Sequence, residues 1–368
     1  MTVCLFVYKT FSMLTTENSQ EEKVLCIPKC PVFGVCGGCS FQNIPYGKEL
    51  ALKEGKFREL FRSELGLAED VFDPIEASPL EYHYRSRLDL TLRRFKTGEL
   101  VMGFQCEDTH RMVPVESCPI ARAEISDFLP ELRRQAEARM PPDYRIANLT
   151  VRTDDSGRVS WGGIGRHSCR MKPEDYFYTV LGGRRFFFSL DTFFQANLSI
   201  LPKLMAKLEP VVCGDPATVF LDLYAGVGLF GYYFAGKVRR VVMVESSADS
   251  LMMMKYNRAY GGHGEAEIFE GRVEEAFAAF LGRAESGRRV ALIDPPRKGL
   301  SFEAADALSD EKGLAGLLYL SCSTASLVRD LRHFVRKGWV IRKLTPFDFF
   351  PKTPHLETLA YLEPGGEG

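Results

Sequence analysis

From about residue 190 onward, short apolar runs alternate with helix-length segments, and this constrains the fold more than any other feature of the chain. TVFLDLYAG, VRRVVMVE, AEIFEG, RVALIDPP and LLYLSCS are each apolar and rich in β-branched or aromatic residues. Near-continuous apolar strands are the mark of a parallel sheet buried on both faces. The pattern predicts an α/β architecture with helices covering a mostly parallel sheet. In such sheets ligands bind outside the carboxyl ends of the strands. Asp222, Glu245, Asp294 and Cys322 stand at or just past those ends.

The chain before residue 190 reads differently. Residues 48–63 place Leu50, Leu52, Phe57, Leu60 and Phe61 at roughly helical spacing among charges. RLDLTLRR puts Leu88, Leu90 and Leu92 on one face, and ELVMGF follows the turn signal KTG, which predicts a hairpin. Residues 121–139 are helical by pattern, and residues 145–190 are strand-like. The expected organisation is a poorly ordered extension over 1–25, a smaller β-rich unit over 26–188 and the α/β unit over 189–368. Basic and acidic residues number 47 and 48, a net charge of −1, which excludes a globally basic nucleic-acid coat but allows a local patch. No run of 18 apolar residues exists, so no membrane helix is expected. The start lacks the basic segment and cleavage site of a secretory signal. A cytoplasmic, monomeric protein is expected.

Four of the ten cysteines, Cys26, Cys30, Cys36 and Cys39, fall within fourteen residues. A cytosolic chain of this size does not need a disulfide framework, and such clustering indicates metal or cluster ligation.

In VFLDLYAGVGLFGYYFAG, residues 219–236, an acidic residue ends a strand and a glycine turn leads into a helix. Gly226 and Gly228 allow the backbone to approach a ligand closely. Glu245 ends the next apolar run, where a carboxylate suits a ribose diol. Asp222-Leu223 ahead of the turn argues for S-adenosylmethionine over NAD, since the former carries no pyrophosphate needing an anion-cradling helix start. In ALIDPPRKGL, two prolines stiffen the chain after Asp294 and set Arg297 and Lys298 beside it. Cys322 turns from a strand into a helix, where the N-terminus and Arg297 are expected to lower its pKa. Farther on, Pro351, Thr353, His355 and Glu357 alternate along an extended stretch, and His355 or Glu357 is the candidate general base.

Taken together, DLYAGVG, IDPPRKGL, YLSCSTASLVRDL and PKTPHLE resemble, in order and spacing, the RNA 5-methyluridine methyltransferases that use S-adenosylmethionine. FFQAN at 193–197 is similar to that family's cofactor-side motif and points to Gln195. CPVFGVCGGCSFQNIPY resembles the iron–sulfur subset acting on 23S ribosomal RNA, and YRSRLDL and MGF are similar too. The resemblance spans residues 30–363. It implies a Rossmann-like class I methyltransferase domain beside a smaller β-rich central domain carrying a 4Fe–4S cluster. By the same resemblance Cys322 is the nucleophile and Glu357 the proton acceptor. Gln195, Tyr224, Glu245 and Asp294, with Gly226 and Gly228, belong to the cofactor site, and Cys30, Cys36, Cys39 and Cys118 hold the cluster. Arg85, Arg87, Arg93, Arg94 and Lys96 are expected to touch RNA phosphates. A tRNA uracil-C5 enzyme, an RNA cytosine-C5 enzyme and a non-catalytic metal-binding RNA module stand as alternatives.

Overall fold

A computed structural model describes residues 26–106, 111–165, 167–276 and 287–366; the expected extension over 1–25 lies outside the described residues. The first helix, α1 (Tyr46–Leu65), ends at Gly66 in a left-handed cap with φ 64°. Its buried stripe is Glu49, Lys53, Phe57 and Phe61, not the leucines of the sequence reading; Leu52 is 42% exposed. The rings enter the core of the large sheet described below. The two charges are buried because they pair with each other at 2.8 Å, and Lys53 also pairs with Asp348 at 2.7 Å.

An antiparallel sheet follows, in the order β3-β2-β1-β4-β5. Its strands are β1 (Arg87–Arg94), β2 (Leu100–Gln105), β3 (Met112–Pro114), β4 (Ile146–Thr153) and β5 (Val159–Gly162). The expected hairpin forms, with Arg94 opposite Leu100. Leu88, Leu90 and Leu92 are buried on one face, where helix α2 (Ala123–Arg139) supplies Ile125, Leu129 and Leu132 to the same core. Arg94 differs from expectation. Its guanidinium donates to the carbonyls of Met140, Pro141 and Tyr144, so it holds the α2–β4 connection.

The hairpin β6 (Phe177–Leu181) and β7 (Arg184–Phe188) leads into α3 (Leu201–Val212) and then the seven-stranded sheet. That sheet has the order β10-β9-β8-β11-β12-β14-β13, built from β8 (Val219–Leu223), β9 (Arg240–Glu245), β10 (Glu267–Glu270), β11 (Arg289–Ile293), β12 (Leu314–Ser321), β13 (Trp339–Phe347) and β14 (Glu357–Pro364). The first five pair in parallel, and β14 runs antiparallel between β12 and β13. Helices α4 (Leu229–Phe234), α5 (Ala248–Tyr260), α6 (Val273–Ala276), α7 (Phe302–Ser309) and α8 (Thr324–Arg336) make the intervening connections. Two apolar cores lie on opposite faces of the sheet; Phe220 and Leu292 point into one, Leu221 and Ala291 into the other. The order reverses between β8 and β11, and such a switch point opens a crevice at the carboxyl edge. No described helix is long and apolar enough to cross a membrane.

Gly231 packs where α4 crosses β9, and a Cβ there would run into the Met243 side chain. Gly231→Ala should therefore cost about 1–3 kcal/mol of stability through overpacking. Gly55→Ala, on the exposed side of α1 with open space around it, should instead stabilise by up to about 1 kcal/mol. Urea midpoints of the two variants should move in opposite directions.

Candidate active site

A cleft of about 900 Å³ opens at the carboxyl edge of the large sheet and brings together Gln195, Tyr224, Gly226, Glu245, Asp294, Cys322 and Glu357. Five of the seven come from strand ends or from the turns after them, and Gln195 comes from the segment between β7 and α3. Glu357 arrives differently. Because β14 is reversed, its first residues lie beside the last residues of β12, with Ser321 opposite Thr358. The start of one strand thus meets the end of its neighbour, and Glu357 stands next to Cys322.

On the β8–β9 side, Tyr224 takes a left-handed φ of 67°, which bends the chain sharply past the strand. The Glu245 carboxylate is fixed by three backbone amides: Gly226 at 2.8 Å, Ser246 at 2.8 Å and Ser247 at 2.7 Å. A carboxylate offers about four lone-pair directions, so one oxygen direction is left for a hydroxyl partner. At Gly226, φ is 57° and a Cβ would meet open space. Gly228, expected in the cofactor site, does not line the cleft. With φ 87° it precedes α4, and a Cβ there would strike the Tyr232 ring at 2.7 Å; its role is close packing. Asp222 is fully buried behind the turn, its Oδ2 accepting from the Gly231 amide at 2.7 Å.

On the other side, Gln195 Nε2 donates to Asp294 Oδ2 at 3.3 Å. Burial pushes the Asp294 carboxyl up to about 7. Glu357 is 6% exposed, and its Oε2 has no hydrogen-bond partner. Burial, and then the Asp294 charge, hold its pKa well above the usual carboxylate range, against the pull of Arg297. The expected lowering at Cys322 is not what the structure gives. Burial and the neighbouring Glu357 and Asp294 charges push this thiol up, outweighing the charge and hydrogen bond of Arg297. His355 is exposed beside the Phe350 ring and does not line the cleft, which leaves Glu357 as the carboxylate next to the thiol.

Two lining residues carry no signal in the sequence. Arg152 is 1% exposed and donates to the carbonyls of Ser189 at 2.5 Å and Thr192 at 2.8 Å, tying β4 to the segment that leads into Gln195. Phe350 forms part of the wall beside Glu357. Of the expected basic patch, Arg85 and Arg87 reach the cleft.

The cysteines come together at the other end of the antiparallel sheet. Cys36 is pushed up by burial and then by Cys118 and Cys30; Cys39 is pushed up to about 12 by burial and then by Cys118, Cys30 and Cys36. Cys118 is buried and its amide is held by Ser126. Cys106 also influences Cys36, but its thiol donates to the Val35 carbonyl at 2.8 Å. Cys26 is exposed. Among the described residues no three ligating side chains close around a single metal ion. Cys36 and Cys39 each feel the charges of Cys30 and Cys118, a set of thiols of the donor type that iron–sulfur clusters take.

The strand order and the carboxyl-edge cleft define an α/β fold with its ligand site at the switch point of the sheet. The family model for tRNA (uracil-5-)-methyltransferase matches residues 174–364, and the chain belongs to that family of RNA-methylating enzymes. A 23S rRNA (uracil(1939)-C(5))-methyltransferase of Vibrio parahaemolyticus is 28% identical, over 91% of this chain and 82% of its own length. A tRNA (uracil(54)-C(5))-methyltransferase of Schizosaccharomyces pombe is 26% identical, over 96% of this chain and 69% of its own. In fold, the chain is similar to the Pyrococcus abyssi tRNA (uracil-54, C5)-methyltransferase solved with S-adenosyl-L-homocysteine. The TM-score is 0.67 at 21% identity, covering 88% of this chain and 85% of that one.

Asp222 offers a test of the buried carboxyl environment. Its pKa is pushed up to about 7 by burial and then by the charges of Asp294 and Glu245, against the Gly231 hydrogen bond, while the unfolded value is about 3.9. The folded state thus favours the protonated form. The stability this group contributes is present below pH about 4 and is lost as pH rises to about 7. Asp222→Asn removes that dependence. The stability of the variant relative to wild type should rise between about pH 4 and pH 7 in urea titrations, and a constant difference would refute the shift.

Proposed function

We propose that the chain methylates C5 of a uridine in RNA, using S-adenosylmethionine, through a covalent bond between Cys322 and uracil C6. The observation that supports this most directly is the meeting of Cys322 and Glu357 in one cleft, with Arg297 reaching the thiol. The cofactor fits the β8–β9 side. Glu245 is held ready for a hydroxyl group, Gly226 leaves room, and Gln195 and Asp294 offer polar contacts opposite. When bound, S-adenosylmethionine would supply an electrophilic methyl group.

C5 of uracil is a weak nucleophile. A thiolate from Cys322 forms a bond to C6, and the displaced electron pair moves through the ring towards O4, which makes C5 nucleophilic. Arg297 is placed to steady the oxygen that gains charge. Once C5 bears the methyl group it also retains its proton. Glu357 accepts that proton, the electron pair restores the C5–C6 double bond, and the C6–S bond breaks to free Cys322. The raised pKa of Glu357 suits a base that must hold a proton near neutral pH. The target base must leave its stack to reach the cleft, and Arg85 and Arg87 at the cleft are placed to meet the neighbouring phosphates.

Cys30, Cys36, Cys39 and Cys118 would hold a 4Fe–4S cluster whose role is structural, tying the N-terminal segment to the antiparallel sheet. The cysteine segment favours 23S ribosomal RNA over tRNA as substrate, and mass mapping of both RNAs from a deletion strain decides between them.

Three outcomes are expected. Cys322→Ala binds RNA but forms no covalent adduct. Glu357→Gln loses turnover by on the order of 10²–10⁴-fold and accumulates a methylated, denaturant-stable protein–RNA complex, visible as a labelled slow band on a denaturing gel. Wild-type turnover by Glu357→Gln would refute its role as base. Separately, Cys118→Ser should lose iron and acid-labile sulfide while Cys106→Ser retains both; the reverse result would exchange the two assignments.

A further inference from the structure

The loop joining β13 to β14 is held from outside at five consecutive residues. Asp348 accepts from the Tyr46 hydroxyl at 2.8 Å and from Lys53 Nζ at 2.7 Å. The Phe349 carbonyl accepts from Asn197 at 3.1 Å, that of Phe350 from Lys53 Nζ at 3.2 Å, and that of Pro351 from the Tyr84 hydroxyl at 3.0 Å. The Lys352 amide donates to Glu49 Oε1 at 2.6 Å, and its carbonyl accepts from the amides of Ser40 and Phe41 at 2.8 and 3.1 Å. Lys352 Nζ pairs with Glu49 at 3.3 Å and with Glu81 at 3.0 Å.

The centre of this arrangement is dry. Glu49 and Asp348 are fully buried, Lys352 is 2% exposed and Lys53 4%. Two carboxylates face two ammonium groups, so each charge has a partner, and in so enclosed a setting those pairings are directional and hard to rearrange. Lys352 also holds a φ of 68°, a left-handed value that a side-chain-bearing residue rarely adopts. Such a conformation persists when the surroundings over-determine it.

The loop has two exits that matter. Phe350 lines the cleft, and five residues beyond Lys352 stands Glu357. Ser40 and Phe41, which grip the Lys352 carbonyl, directly follow Cys39. We infer that the buried Glu49–Lys53–Asp348–Lys352 cluster is a positioning device for the base side of the cleft, and that it joins the cysteine segment to Phe350 and Glu357. This rests on the reading of Glu357 as the base that releases the adduct. Glu49 and Lys53 do not line the cleft; they act through the loop.

A role confined to fold stability would reduce the amount of active enzyme and scale both chemical steps equally. A positioning role changes their ratio. The test uses the full chain carrying Glu49→Gln with Lys53→Met, a neutral pair of similar volume, in single-turnover reactions with substrate RNA and labelled cofactor. Formation of the methylated adduct should stay within about twofold of wild type, while its breakdown slows on the order of 10- to 100-fold, the scale of a small misplacement of a reacting group. Equal slowing of both steps, or wild-type breakdown, would overturn the inference. Asp348→Asn keeps the volume and the Tyr46 contact; it carries the same expectation at smaller size and decides the matter if the double variant does not fold. Glu357→Gln runs in parallel. If it traps no adduct, the reading of the base fails. If it traps adduct while the loop variants release theirs normally, only the positioning role fails.

Discussion

Two carboxyl groups and a thiol share the floor of one cleft, and keeping them there is the constraint on which the site depends. A buried oxygen without a partner, such as Glu357 Oε2, costs about 1–3 kcal/mol. The sheet holds it in place regardless. Glu357 pairs with Phe347 on one side, and its neighbour Thr358 pairs with Ser321 on the other. Without the reversal of β14, the residue after Ser321 would face the end of another parallel strand, as Asp294 and Glu245 do. The reversal brings a residue from a different part of the chain to the same edge.

The other wall of the cleft depends on a different device. Arg152 and Arg87 reach across from the antiparallel sheet to the carbonyls of Ser189, Leu190 and Thr192, fixing the segment that presents Gln195. Arg152 sits over the Phe188 ring at 4.8 Å, and burial drops its pKa to about 9, so it still carries its charge at neutral pH. The smaller sheet thereby becomes part of the site and is more than an appendage to it.

Much of this was legible in the sequence, for a physical reason. Strand ends in a parallel sheet gather at one edge whatever the loops do, so Asp294, Glu245 and Cys322 were placed by pattern alone, and the Leu88–Leu90–Leu92 alternation placed its hairpin. What failed was the inference from composition to environment. Nothing local marks Glu49 and Lys53 as buried among the charges of α1, because their partners, Asp348 and Lys352, are about three hundred residues away in the chain. Arg94 read as a phosphate ligand because the carbonyls it satisfies belong to another connection. At Cys322, the helix start and Arg297 were visible, but the burial and the two carboxylates that raise its pKa exist only once β12 is paired with β11 and β14.

The raised pKa of Cys322 carries a constraint on the order of proton transfers. On the proposed mechanism the Cys322 thiolate is the nucleophile, so the thiol proton must leave before C6 is attacked. If Glu357 took it and kept it, that carboxyl would be unable to accept the C5 proton later. Proton balance therefore requires a separate exit for the first proton, to Asp294 or to solvent, before elimination begins. Asp294 is suited to this by its pKa of about 7. Protonating it also removes one of the negative charges that raise the thiol, which eases thiolate formation beside Arg297. In coupled groups of this kind the protons belong to the set and not to one residue. On the proposed mechanism the site would act as a shared proton store, in which protonating Asp294 eases thiolate formation while Glu357 stays open for the final step.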